Sequence, residues 1–358
     1  MIDEIQKIKI ALTSGCTLKC DHCNIDKVSA SSISIDYALK TVDFILSSKG
    51  KDKRIEIYGG EPFTEFEKLK ILVKYIRQES QIRNKTTSIH VASNGTIVND
   101  KILDWLKKND IFLAISFSGS RKSHNYNRKF PNAKGSYQMV KENIKKILNT
   151  IGNKRLVCIY CIHPEFSSRI LDDFKKIINL GIRIVDIECV SGCMWGENDY
   201  TNLISGIKEI NKYILKLAGQ KKYIFHEVFT EYLRTKNLCF PNCPGYMDIE
   251  LYPDGNLGFY PYAFINYNRY KNKISIGTAR KGINKKYSKC KYKSKRCDDC
   301  VKNYYTLQGL DDGSKAYEIR NKIIINFFKE LVSISSKNCL ANNYFKQTIK
   351  LSNFFYDK

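Results

Sequence analysis

An apolar share of 43% in 358 residues suffices to bury the core of one large domain or two moderate ones, so the chain reads as a folded, soluble protein. The opening MIDEIQKIKIALTSGC lacks a basic segment followed by an apolar stretch and a cleavage site, and no later segment approaches about eighteen uncharged apolar residues, so a cytoplasmic protein is expected. Thirteen cysteines in that setting favour metal ligation over disulfides, and the net charge of +24 fits either a polyanionic partner or a Lys-rich composition spread along the whole chain.

From residue 8 onward, short β-rich apolar runs alternate with segments of helical period. The predicted strands are IKIAL (8–12), RIEIYG (54–59), SIHVAS (88–93), FLAISF (112–117), RLVCIYCI (155–162) and IVDIECV (184–190). The predicted helices between them include residues 37–48, 67–78, 137–149 and 169–180, with a further helical segment near 203–217. Strands apolar on both faces, each followed by a helix, predict a parallel sheet of right-handed βα units. Six such units make an open, partial (β/α)6 TIM-like barrel over residues 1–220. A smaller cysteine-rich domain is expected at 239–312, with a hairpin around Asp254 and Gly255, and a helical tail at 315–358.

In such folds ligands sit in the loops leaving the carboxyl ends of the strands. The first of these loops, CTLKCDHC, sets Cys16, Cys20 and Cys23 at a C-x-x-x-C-x-x-C spacing. Three thiolates in so short a loop can take three corners of an iron–sulfur cube, leaving the fourth iron open to a chelating molecule. On spacing alone, zinc with His22 as fourth ligand is the alternative. The second loop reads Gly59, Gly60, Glu61, Pro62, which taken alone is an ordinary turn into a helix. The third holds Ser93, Asn94 and Gly95, and the fourth opens the stretch SFSGSRKSHNYNRKFPNAKGSY from Ser116.

The cysteine spacing, followed one strand and helix later by GGEP, resembles the radical S-adenosylmethionine (SAM) superfamily over the first half or more of the chain. That resemblance implies a 4Fe-4S cluster on Cys16, Cys20 and Cys23 that binds SAM. Gly59, Gly60, Glu61 and Pro62 would then lie along the methionine amino group, with backbone carbonyls accepting from the ammonium. Ser93 and Asn94 match the family's S-N-G turn near the nucleoside. Residues 116–137 resemble the S-L-D-G…H-D…R…G-S-F segment of the subgroup with SPASM or twitch extensions. By that match Ser116 contacts SAM, and Arg128 pairs with its methionine carboxylate through the fork of a guanidinium. His22 stands where an aromatic commonly leans on the adenine, a place imidazole can fill by stacking. Ser118 departs from the subgroup, which usually carries Asp there. The implied reaction is reductive cleavage of SAM to a 5′-deoxyadenosyl radical that removes hydrogen from a substrate.

Cys239, Cys243, Cys290, Cys297 and Cys300 form a second set. The resemblance makes four of them the ligands of one auxiliary 4Fe-4S cluster, with Cys239, Cys243, Cys297 and Cys300 preferred and Cys290 as substitute. A zinc knuckle and free thiols are the alternatives. Cys158 and Cys161, three apart on a strand, point to opposite faces and read as core; Cys189 and Cys193 close the sixth strand at the ligand-facing edge. The basic stretch 269–302 holds thirteen Lys or Arg and suits an acidic peptide; it carries no recognised nucleic-acid motif. The expected function is radical chemistry on a peptide or protein substrate, in the manner of peptide-modifying maturases and anaerobic sulfatase-maturing enzymes. An external electron donor such as flavodoxin or ferredoxin is expected. A radical SAM dehydrogenase acting on a small molecule and a non-catalytic iron–sulfur electron carrier are the alternatives.

Overall fold

Strands that are apolar on both faces need cover on both, and the chain supplies it with helices on one side and its own curvature on the other. The computed structural model describes residues 5–23, 25, 32–235, 248–258, 271–272, 275–284 and 311–356. The six apolar runs become β1 (Lys7–Thr13), β2 (Asp52–Gly59), β3 (Thr86–Ser93), β4 (Phe112–Ser116), β5 (Leu156–Ile162) and β6 (Ile184–Cys189). They lie side by side in chain order and are parallel throughout. Between and after them run α1 (Ile35–Ser47), α2 (Phe66–Ile82), α3 (Asp100–Lys108), α4 (Arg121–Asn127), α5 (Tyr137–Ile151), α6 (Ile170–Asn179) and α7 (Glu197–Gly219). The pattern of apolar residues revealed the long helices and not the short ones. In the nine-residue α3 the side chain of Asn99 caps the start by accepting from Ile102 N at 3.0 Å.

The outward faces of the strands carry the core: Ile8, Ile10, Leu12, Ile55, Ile57, Ile89, Val91, Leu113 and Ile115 are all buried against the helices. The inward faces carry charge. Lys9, Glu56 and His90 lie level on β1, β2 and β3. Glu56 accepts an ion pair from Arg54 at 2.7 Å, with Lys7 and Lys9 at 3.6 and 3.8 Å. Burial alone would raise the Glu56 carboxyl, but these three cations hold it well below the usual carboxylate range. Asp186 on β6, level with Ile159 of β5, feels Lys9 and Glu56 electrostatically from across the sheet.

After α7, β7 (Phe225–His226) pairs parallel with β6, and α8 (Val228–Thr235) follows. On the far side of β1, β8 (Asp248–Leu251) pairs parallel with it, and β9 (Asn256–Gly258), β10 (Ser275–Thr278) and β11 (Gly282–Ile283) continue antiparallel. The hairpin at Asp254 and Gly255 is therefore present, and the described strands of the stretch read as a smaller domain extend the core sheet outward from β1. The tail forms α9 (Asp311–Ile334) and α10 (Cys339–Tyr356). Phe355 of α10 meets the Phe112 ring edge-on at 4.9 Å, and Phe112 stacks on His90 at 4.8 Å, which fills the floor of the barrel. Arg320 of α9 reaches inward to Asp186 at 3.2 Å and Glu188 at 3.0 Å. Among the described residues no helix is long and apolar enough to cross a membrane.

Candidate functional site

At the end of β1 the backbone of Thr13–Gly15 is gripped by the loop after β2. Gly60 N donates to Thr13 O at 2.6 Å and Glu61 N to Gly15 O at 2.8 Å. A Cβ on Gly60 would stand 2.1 Å from Gly15 O, so only glycine admits this approach. The reason for glycine here is thus a neighbouring backbone, where sequence reasoning had looked to a ligand. Glu61 turns its side chain inward and is wholly buried. It accepts from Phe63 N at 3.2 Å, from Ser93 Oγ at 3.0 Å and from Asn94 N at 2.7 Å. Burial pushes its pKa up to about 7 against those donors, which favour the charged form. Pro62, buried, begins the short turn that leads into α2.

Ser93 is spent on Glu61, and Asn94 reaches in the other direction. Its Nδ2 donates to Thr17 Oγ1 at 3.0 Å and to Cys16 Sγ at 3.4 Å, while its Oδ1 accepts from Thr96 N at 2.9 Å. Thr17 and Thr96 share a hydroxyl contact of 2.6 Å. The second loop therefore supports the cysteine loop through its backbone, and the third through Asn94, a side chain that the sequence placed near a nucleoside.

Cys16, Cys20 and Cys23 are all half-buried on that loop. They do not converge as ligands of a single ion would, and no other trio of His, Cys, Asp or Glu does so among the described residues. Three thiolates of a cube serve three different irons and have no need to converge on one point. The loop is also stitched to the segment after α4: Lys19 N donates to Lys129 O at 2.8 Å and Asp21 N to Asn127 O at 3.0 Å, beside a Lys129–Asp21 ion pair of 3.0 Å.

Arg128 sits in the middle of that second segment and is 7% exposed. Its Nη2 donates to Cys161 Sγ at 3.4 Å. Burial opposes its charge and the nearby sulfurs of Cys161, Cys20 and Cys23 favour it, for a net upward shift, while burial pushes the Cys161 thiol itself up and keeps it neutral. Its Nε finds no acceptor among the described residues. A buried guanidinium N–H without a partner is costly unless a ligand supplies one. The Arg128 carbonyl is fixed by a relay. Ser118 N donates to His124 Nδ1 at 3.4 Å, which places the proton on Nε2; Nε2 meets Ser136 Oγ at 3.0 Å, and that hydroxyl donates to Arg128 O at 3.0 Å. Burial drives the His124 pKa well below the usual value, in keeping with a neutral ring.

Ser116 lies half-buried at the end of β4, level with Ile159. Ser118 is buried, donating Oγ to Cys161 O at 3.4 Å, so it braces the site from behind. Gly119 has φ +74°, and a Cβ there would lie 2.3 Å from Asp173 O. Asp173, fully buried on α6, accepts from Ser120 N at 3.1 Å and from the Ser123 hydroxyl, which docks the start of α4. His22 borders a cavity of about 310 Å³ whose lining includes Tyr126, Asn127, His163, Ser191 and Cys193. Cys189 faces the tail, with Sγ 3.7 Å from Ala316 O. Cys239, Cys243, Cys290, Cys297 and Cys300 lie outside the described residues.

His124 and Asp173 were not singled out by sequence reasoning, and Cys161, read there as core, is half-buried beside Arg128. For Cys161 the signal was there: its opposite-face relation to Cys158, which donates outward to Phe117 O at 3.3 Å, left Cys161 facing in. Nothing in a lone Asp on an amphipathic helix marks Asp173.

Residues 10–177 match the family model described as the Radical SAM superfamily. An uncharacterized protein of Methanocaldococcus jannaschii is 24% identical over 233 residues, covering 63% of this chain and 75% of that protein. The radical SAM cyclopropyl synthase TigE of Paramaledivibacter caminithermalis is 22% identical over 39% of this chain and 34% of its own length. A cysteine-type anaerobic sulfatase-maturating enzyme of Clostridium novyi is 24% identical over 38% of each. This chain thus spans about a third of the last two. Among solved structures, anSMEcpe with bound AdoMet superposes with a TM-score of 0.68 at 14% identity, over 95% of this chain and 98% of that one. Streptococcus suis SuiB bound to precursor peptide SuiA gives 0.56 at 13%, over 74% and 61%. At these identities the structural likeness concerns the fold, and the family match is confined to residues 10–177, just under half of the chain.

Proposed function

We propose that this chain holds a 4Fe-4S cluster on Cys16, Cys20 and Cys23, binds SAM beside it, and acts on a peptide or protein substrate. The observation that carries the reading is Arg128: charged, buried, pinned to the cysteine loop and lacking an acceptor for Nε among the described residues. When bound, the cluster and SAM together supply reductive carbon–sulfur cleavage and hydrogen-atom abstraction. The protein's own part is to hold and to screen. Arg128 takes the methionine carboxylate, and the carbonyls of Gly59 and Gly60 face the ammonium group. Asn94 and Thr17 keep Cys16 in place. His22, at the edge of the cavity, stacks on the adenine, and Ser116 completes the cradle.

A peptide substrate is supported by the company the chain keeps: TigE, the sulfatase-maturating enzymes, and SuiB, which was solved with a precursor peptide. The basic stretch 269–302 gives an acidic peptide a place to be drawn to. We further propose one auxiliary 4Fe-4S cluster on Cys239, Cys243, Cys297 and Cys300, with Cys290 as substitute, and a flavodoxin- or ferredoxin-type electron donor.

The test is anaerobic reconstitution with iron and sulfide counting, followed by release of 5′-deoxyadenosine from SAM under dithionite. About eight irons per chain, falling to about four with nucleoside release abolished when Cys16, Cys20 and Cys23 are changed to Ala, is the expected result. About four irons with full activity in the unaltered chain would remove the auxiliary cluster. Zinc in place of iron, with no nucleoside released, would overturn the proposal.

A further inference from the structure

Cys161 lies on the inward face of β5, level with Glu188 on β6, and is half-buried. It is held from two sides: Ser118 Oγ donates to its carbonyl at 3.4 Å, and Arg128 Nη2 donates to its sulfur at 3.4 Å. The guanidinium it touches is 7% exposed and has an Nε for which the described residues offer no acceptor. A guanidinium is a rigid plane of five N–H donors, so fixing one nitrogen fixes where the others point.

We propose that Cys161 is a positioning residue for carboxylate recognition: its sulfur holds Nη2 of Arg128 so that the Nε–H faces the carboxylate of the bound SAM. The inference rests on the reading of Arg128 given above. The choice of sulfur has a chemical reason. A carboxylate at this position would close an ion pair with Arg128 and compete with the ligand for it. A thiol is a weak acceptor, able to set the plane of the guanidinium without neutralising it. Its small size also leaves room beside the ligand, in a lumen where Glu188 already stands level with it.

The experiment measures SAM affinity by equilibrium dialysis on the reconstituted holoenzyme, without reductant, for the unaltered chain, C161A, C161S and R128A. Decarboxylated SAM serves as the probe that lacks the recognised group. C161A should weaken SAM binding by about five- to tenfold, the effect of losing one ordinary hydrogen bond. Its iron content and its affinity for decarboxylated SAM should stay unchanged. C161S restores an acceptor and should return SAM affinity to within about twofold of the unaltered chain. Unchanged SAM binding by C161A would overturn the inference, as would an equal loss for both probes, which marks a merely structural role. If R128A also bound SAM like the unaltered chain, the reading of Arg128 itself would fall; if R128A lost SAM while C161A kept it, only the role of Cys161 would.

Discussion

Glu61 carries more structural information than its place in a four-residue motif suggests. Its two oxygens take two backbone N–H groups and one hydroxyl, from the turn it belongs to and from the loop after β3. A glutamine can keep only one of those N–H groups satisfied, because its amide nitrogen would face the other donor whichever way it is turned. Glu61→Gln should therefore cost about 1–3 kcal/mol in denaturant-induced unfolding. The pH dependence goes further. Burial raises the folded-state pKa from 4.5 to about 7, so this group's contribution is largest below pH 4.5 and is lost as pH rises through about 7. Stability of the unaltered chain should fall across that window. The Gln variant should lack this component of the slope, and an identical slope in both would show that Glu61 does not titrate there. At this scale the sequence was partly legible. Spacing and motif single out the cysteines and Arg128 as candidates, whereas the contacts that Ser93 and Asn94 make could not be read. Their side chains serve other loops, and such pairings exist only once β1, β2 and β3 stand side by side.

Among elements, the cysteine loop and the GGEP turn behave as one piece, because Gly60 and Gly15 meet backbone to backbone. Gly60→Ala brings a Cβ within 2.1 Å of Gly15 O, where no flexible side chain can give way. The two loops must part, at about 1–3 kcal/mol of stability by the usual cost of overpacking. The reconstituted variant should also retain less iron than the unaltered chain; equal retention would show that the cysteine loop does not depend on this contact. Long amphipathic helices such as α5 and α7 were legible from their period alone. The seven-residue α4 was not, since its start is held by Gly119 and by Asp173 from a helix some fifty residues later. Tertiary contact, and not local propensity, makes that helix.

In the whole molecule, the curled sheet is completed by the tail. Arg320 on α9 is 4% exposed and answers two inward carboxylates, Asp186 and Glu188, from more than a hundred residues away in sequence. Burial and the Glu188 charge already push Asp186 up; Arg320 draws it back. Arg320→Ala should cost about 2–3 kcal/mol, short of the figure for an enclosed pair because Glu188 keeps 34% of its side chain exposed. Asp186→Asn in that background should recover part of the loss, and a strictly additive double variant would dissolve the claimed coupling. The parallel barrel was legible in the alternation of strands and helices, while the charged floor was not: a Lys, a Glu and a His on three different strands become neighbours only through register. The stitch between residues 19–21 and 127–129 has a consequence of its own. Cys20 and Arg128 each lie at the centre of one side of that stitch, so whatever orders one side narrows the freedom of the other. Under the function proposed above, any coupling between cluster binding at Cys20 and ligand binding at Arg128 runs through this stitch and, by thermodynamic reciprocity, is equal in both directions.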